Sequence, residues 1–430
     1  MDNLEKIMGF KHILIKEKNQ NVPLYYCHST KFKTFYTYCV FFKEYEKISS
    51  LHFEILGKLL NRTTLNHPTE QQLSVYCANL YDMYHYVSTK QFPHYDEMLF
   101  RTGTVNTKYI HENINLLEES TSLLKETIFE PNFSLEILED IKLSIINKIN
   151  NAKNNNLYNV TKKFNLERFS GELIEEQMYI NPEDVKAVTM DDIKIAYNNL
   201  LKCPHIYVYI GEDKLDDVVN SLSGLDFPIS NKVELKNECR HNKVIEKVKE
   251  VYLDEDLNQS QLLIGLRTNI YSKDEDFYPM LFCELLLGGD SNSELFRVVR
   301  KNNNLAYDIS FRYNSLYGFI TIKAGVDKNN LEKTYELVKE VINNFKNGNI
   351  SKEHLETEKK YLISNLKTEF DDFTSHYNLA LSHYRGDKIK TVEEKITLIN
   401  SITVEDIKRA ANSMEYELVY FVRGTKDESN

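Results

Sequence analysis

Residues able to do metal chemistry are scattered along this chain rather than clustered. In "HFE", His52 to Glu54, an imidazole stands near a carboxylate, and a zinc hydrolase uses such a pair as ligand and acid or base. No second histidine lies four positions away on the same helical face, so His52 reads as a packed or surface histidine. Glu54 and Lys58 instead form an i, i+4 pair in the favourable order, worth about 0.2–0.5 kcal/mol to a helix. His376 and His383 share a helical face but sit two turns apart, too far for one tetrahedral ion without other ligands. His67, His85 and His94 show no ligand spacing. The G-x-S-x-G nucleophile signature is missing. "LLLGGD" lacks the phosphate-loop lysine and the dinucleotide-binding glycine spacing, so it reads as a helix end. Arg300 and Tyr307, in "RKNNNLAY", are sensible donors for a developing negative charge. They suit equally a helix C-terminus and a packed strand start.

The elements that must position such residues follow from length and pattern. At 430 residues the chain exceeds one ordinary core, and 42% hydrophobic with 27% charged residues is a globular balance. The net charge of -11 is spread along the chain and argues against nucleic acid as a partner, which would need clustered Lys and Arg. The start carries charges at Asp2, Glu5, Lys6 and Lys11 and no apolar run of signal-peptide length. No uncharged stretch reaches about 18 residues, so no membrane span is expected. Six cysteines (Cys27, Cys39, Cys77, Cys203, Cys239, Cys283) lie far apart without a Cys-x-x-Cys pair, which suits reduced thiols and a cytoplasmic location.

The chain repeats itself once. "TMDDIKIAYNNLLKCPHIYVYIGEDK" (189–214) returns as "TVEDIKRAANSMEYELVYFVRGTKD" (403–427), each copy reading as a Thr-capped helix followed by a strand ending in Gly. Upstream, "MYHYVSTKQ" and "HYDEMLFRTGTV" precede helices at about Ile114–Phe129 and Leu135–Asn150. In the second half, "YDISFRYN" and "GFITIKAGV" precede helices at about Leu331–Phe345 and Lys352–Phe373. The alternation in "FITIKAGV" is imperfect, whereas "ELVKEVINNF" spaces Leu337, Val341 and Phe345 by four. The predicted fold is α+β, with two homologous domains, each an antiparallel sheet covered on one face by helices. The expected boundaries are 1–223 and 244–430, with a linker over 224–243 that is polar, contains Pro228 and lacks either periodicity.

This layout resembles the pitrilysin or insulinase-type metallopeptidases, in their short two-domain bacterial branch. "LLLGGDSNSELFRVVRKNNNLAYDISF" (285–311) is similar to that family's second-domain signature, and "LLNRTTLNHPT" (59–69) to the segment after the metal helix. Active members carry H-x-x-E-H just before the latter, two histidines for zinc and a glutamate for the attacking water. Registered on "LLNRTT", those positions are Glu54, Ile55, Leu56, Gly57 and Lys58; the later ligand falls at Asn147 or Lys148. Neither histidine and no catalytic glutamate is present, and a lysine ammonium repels a dication. The resemblance therefore implies a chain that holds no zinc and does not cleave peptides alone.

It further implies roles for Arg300 and Tyr307, which in active relatives steady the substrate carbonyl and its oxyanion. The leading expectation is the non-catalytic subunit of a heterodimeric zinc endopeptidase, in bacteriocin or leader-peptide processing. It would bind peptide, pair with a zinc-bearing paralogous subunit and complete that partner's site. The alternative is a non-proteolytic accessory or scaffold protein, associated in one branch of the family with modifying a translation elongation factor.

Overall fold

The computed structural model describes residues 10–17, 20–241 and 244–425. The first nine residues, on which part of the reading of the chain's start rests, and the last two positions of the expected linker lie outside the described residues. Contacts divide the chain into two units. The first comprises Met1–Ile149, Ile180–Asn237 and Glu369–Thr391; the second comprises Asn150–Tyr179, Glu238–Thr368 and Val392–Asn430. Each unit thus takes in a helical segment from the other half of the sequence.

The first unit is built on six strands: β1 (Phe10–Lys16), β2 (Asn21–His28), β3 (Thr34–Glu44), β4 (Tyr84–Gln91), β5 (Tyr95–Val105) and β6 (His205–Gly211). Their order across the sheet is β1-β2-β6-β3-β5-β4. The second unit has β7 (Lys249–Glu255), β8 (Ser260–Arg267), β9 (Ala306–Asn314), β10 (Phe319–Val326) and β11 (Glu415–Gly424), ordered β7-β11-β8-β10-β9. The second order is the first without β1, so the sequence repeat is a structural one. The capped helices match as well: Thr189 and Asp192, and Thr403 and Asp406, each exchange side-chain and backbone hydrogen bonds in a capping box.

Each sheet departs from pure antiparallel pairing at one place. β2 lies parallel to β6, and β7 parallel to β11. Strands so far apart in sequence are joined by long crossovers, which leave parallel pairing open to them. The main helical layer covers one face, as expected. In the first unit the helices Lys47–Leu60 and Leu116–Phe129 bury Leu56, Leu59, Leu123 and Leu124 with Phe41, Met98 and Phe100 of the sheet. In the second, Val338, Ile342 and Phe345 of Leu331–Lys346 pack with Leu262, Ile264 and Ile322.

The other face is not bare. In the first unit the helix Phe373–Tyr384 stacks Tyr377 on Tyr38 and Tyr384 on Phe42, each with ring centres 5.0 Å apart. In the second, Val160 and Phe164 of Asn156–Arg168 pack on Leu263, Leu418, Tyr420 and Val422. Burial on both faces explains the weak alternation of the strands: every residue of β6 and of β8 is buried. The helix expected over Lys352–Phe373 is shorter, running Lys352–Lys367. A 3-10 turn follows, and Asp372 caps a new helix by accepting from the Ser375 amide at 2.9 Å. The break falls where the chain passes from the second unit to the first.

Candidate functional site

The helix Lys47–Leu60 occupies the place where the sequence registers a metal helix. Glu46 starts it, its carboxylate accepting from the Ile48 and Ser49 amides. Glu54 and Lys58 form the expected pair at 3.4 Å. Ile55, Leu56 and Gly57 are buried, so three of the five registered positions face packed structure. Gly57 sits so close to the sheet that a Cβ there would lie 2.8 Å from Thr89 Cγ2 and 3.5 Å from Met98 Cε. The space beside Gly57 is filled by side chains of strands β4 and β5. Asn147 and Lys148 are both exposed on the helix Leu135–Lys153. Among the described residues no group of three or more His, Cys, Asp and Glu side chains has metal-binding geometry.

The histidines go to separate surroundings. His376 is buried, its Nδ1 2.8 Å from the Asp372 carbonyl, with its ring beside Phe10 and Phe32. His383 meets the Tyr25 hydroxyl at 3.0 Å and the His12 ring edge-on. His52 is half-buried, with Asp192 electrostatically coupled to it. His67 pairs with Glu126 at 2.8 Å, and His85 meets the Thr127 hydroxyl at 3.0 Å. Burial pushes His85 down to about 4, against the opposing pull of Glu126, so it is neutral at ordinary pH.

In the second unit, Arg300 lies in a short π-helix, Phe296–Asn302, with its guanidinium 4.8 Å from the Phe296 ring. π-Helical turns are rare and recur at functional sites. The π-helix leads into β9, the edge strand, whose second residue is Tyr307. Tyr307 is 52% exposed and donates its hydroxyl hydrogen to Asp327 Oδ1 at 2.8 Å. Both side chains are thus at the surface near one sheet edge, each with a local neighbour.

Two clusters escaped the sequence reading. On the second unit's sheet face that the helix Asn156–Arg168 covers, Arg168, Arg267, Glu417 and Glu172 form a buried ionic network. In the first unit, Arg101 of β5 sits among Tyr36, Tyr38, Tyr84 and Tyr86. The only sequence signal for the second is a period of two in "YTY", "YHY" and the strand around Arg101; strand register decides whether those rows meet.

The fold is α+β in two units, each a mostly antiparallel sheet with helices on it, and the helix Lys47–Leu60 carries a Glu54–Lys58 pair at the registered positions. Residues 188–362 match the family described as the peptidase M16 inactive domain. The probable inactive metalloprotease YmfF of Bacillus subtilis (strain 168) is 25% identical over 423 residues, covering 96% of this chain and 99% of that one. The non-peptidase homolog YmxG of Helicobacter pylori (strain ATCC 700392 / 26695) is 21% identical, over 67% of this chain and 68% of that one. A crystal structure of a conserved protein from Enterococcus faecalis V583 superposes with a TM-score of 0.87 at 21% identity, covering 97% and 99% of the two chains. Over residues 188–362 the chain is thus similar to the M16 inactive domain, and over nearly its whole length to a probable inactive metalloprotease.

Proposed function

We propose that the chain is the substrate-binding, non-catalytic subunit of a heterodimeric zinc endopeptidase, with Arg300 and Tyr307 reaching the partner's reaction centre. The observation that carries this reading is their placement: two hydrogen-bond donors at the surface, beside an edge strand, in a chain whose own metal helix is packed shut. An edge strand can hold an extended peptide by main-chain bonds, and donors beside it can meet the charge that develops on a scissile carbonyl. Processing of a bacteriocin or another leader peptide is the proposed role. A cytoplasmic setting accords with six cysteines spaced far apart without a Cys-x-x-Cys pair.

The test is co-expression with a zinc-bearing H-x-x-E-H relative, then size-exclusion chromatography and a peptidase assay. A stable pair burying at least about 1,600 Å² should co-elute. Tyr307→Phe should lower its kcat by roughly 10²–10³, the scale of one oxyanion donor, without changing zinc content or association. A normal rate in that variant removes Tyr307 from the site. A partner fully active alone that never co-elutes removes the heterodimer.

One observation favours a second reading, a non-proteolytic accessory protein. Arg300 rests on its own Phe296 and Tyr307 is bonded to Asp327, so local packing accounts for both. An association with elongation-factor modification belongs to this reading, and the same variants decide between the two.

A further inference from the structure

We propose that the outward strip of β4 and β5 in the first unit binds the carboxylate of an acidic residue in an extended peptide that pairs with the β4 edge. This rests on the peptide-binding part of the function proposed above and adds the class of side chain recognised.

The strip is set by register. Arg101 is paired on one side with Tyr38 of β3 and on the other with Tyr86 of β4. Two residues along β5, Gly103 is paired in the same way with Tyr36 and Tyr84. Directly paired residues share a face, so both rows lie together. Phe100 and Met98 alternate with them and enter the main core, which puts Arg101 on the opposite face. Gly103 lets the rows close up, because a Cβ there would lie 2.5 Å from Tyr36 Cδ1. The Arg101 guanidinium is 4.2 Å from the Tyr84 ring centre, 5.1 Å from Tyr36, 5.7 Å from Tyr86 and 5.9 Å from Tyr38.

The rings hold the guanidinium but do not neutralise it. Arg101 is half-buried, and its Nε is buried without a protein acceptor. Among the described residues no carboxylate lies within ion-pair distance of it. Glu97, on the same face of β5, is already bonded by the Tyr377 hydroxyl at 2.6 Å and stands opposite Lys90. A partly desolvated cation with no counter-charge is costly, and a planar guanidinium fits a carboxylate in a bidentate fork. Tyrosine faces fix the plane, and the Tyr84 and Tyr38 hydroxyls also interact with the guanidinium.

Access comes from the edge. β4 ends the sheet, so its outer main chain can accept an added strand. The helix Phe373–Tyr384 covers the β3 side of this face, with Phe373 against Tyr36 and Tyr377 against Tyr38. Tyr86, 39% exposed, marks the uncovered side. A strand laid beside β4 turns alternate side chains towards this face, where one of them can reach Arg101 past Tyr86.

The experiment uses the full chain and two fluorescein-labelled peptides of about 10 residues, rich in Thr and Val, that differ only in a central Glu or Gln. By fluorescence anisotropy the Glu peptide should bind about 10-fold tighter or more, the scale of a charge-assisted hydrogen bond. The preference should shrink as salt is raised. Arg101→Gln should remove the preference, so that the two peptides bind alike; Arg101→Lys should retain part of it. Tyr86→Ala, at an exposed position, serves if Arg101→Gln does not fold, and should weaken the preference several-fold. Equal binding of the two peptides by the unaltered chain overturns the acidic subsite while leaving peptide binding standing. A preference that persists in Arg101→Gln also overturns it. Failure of both peptides to bind overturns the peptide-binding reading itself, and the subsite with it.

Discussion

Arg168 Nε donates to Glu417 Oε2 across 2.8 Å although 249 positions separate the two residues. Both are buried, and Arg168 spends its other donors on Thr321 Oγ1 and on the Leu266 and Ile320 carbonyls. Glu417 also accepts from Arg267 Nε at 3.0 Å. One first-half helix is thereby fastened to three strands of the second unit's sheet.

Stability should depend on the Glu417 charge. Burial pushes its carboxyl up, but Arg168 and Arg267 more than offset this and bring it down to about 2. An unfolded glutamate titrates near about 4.3, so between these values the unfolded chain binds more protons. The pair's contribution is therefore complete above about pH 4.3 and is lost as pH falls towards 2. Glu417→Gln should cost about 3–5 kcal/mol at pH 7, because it leaves buried cations unpaired. Urea melts of the two proteins from pH 3 to pH 7 should show that gap narrowing on the acid side; a constant gap would rule out the carboxylate as its source.

The helix Lys47–Leu60 should reject a rebuilt metal motif. Gly57→Ala places a Cβ 2.8 Å from Thr89 Cγ2, and overpacking of this kind costs about 1–3 kcal/mol. Glu54→His with Gly57→Glu and Lys58→His should lower the melting temperature further and still bind no stoichiometric zinc while residues 147 and 148 are Asn and Lys. Metal analysis after dialysis, together with a thermal melt, checks both parts. Tight zinc at one ion per chain in the triple variant would overturn the account. Lys58→Ala, which removes only the surface pair, should change stability by about 0.5 kcal/mol or less.

The two capping boxes predict matched effects. Thr189→Ala and Thr403→Ala each remove a hydroxyl that accepts a helix amide, at 3.2 and 3.3 Å. Each should cost about 1 kcal/mol. Thr→Ser at the same positions should restore most of that loss. Chemical denaturation of the four variants is the measurement, and a neutral Thr→Ala at either position would show that its helix is held by packing alone.

Thiol reactivity should be low in the native chain. Burial pushes Cys27 up to about 12 and Cys77 to about 11, with Cys39 and Cys283 also raised, so little reactive thiolate exists at pH 8. Cys77, the one cysteine that is not buried, should react first with a disulfide reagent, followed by the others only on unfolding. Rapid stoichiometric labelling of all six under native conditions would contradict the described packing.

The internal repeat, the Thr-capped helices, the paired strands and the Glu54–Lys58 pair were all legible in the sequence. Each rests on neighbours a few residues apart, where cap chemistry and the helical period act locally. Three matters were decided by tertiary structure. Residues 150–179 and 369–391 pack in the unit opposite to their half of the sequence, because apolar rows such as Leu263, Leu418 and Tyr420 need cover on their second face. The helix predicted to Phe373 ends at Lys367, since Asp372 caps a new start where the chain changes units. Arg101 meets its four tyrosines only through the register of three strands drawn from separate stretches of the chain. A one-residue slip would turn that row to the other face, and nothing local to any one strand forbids it.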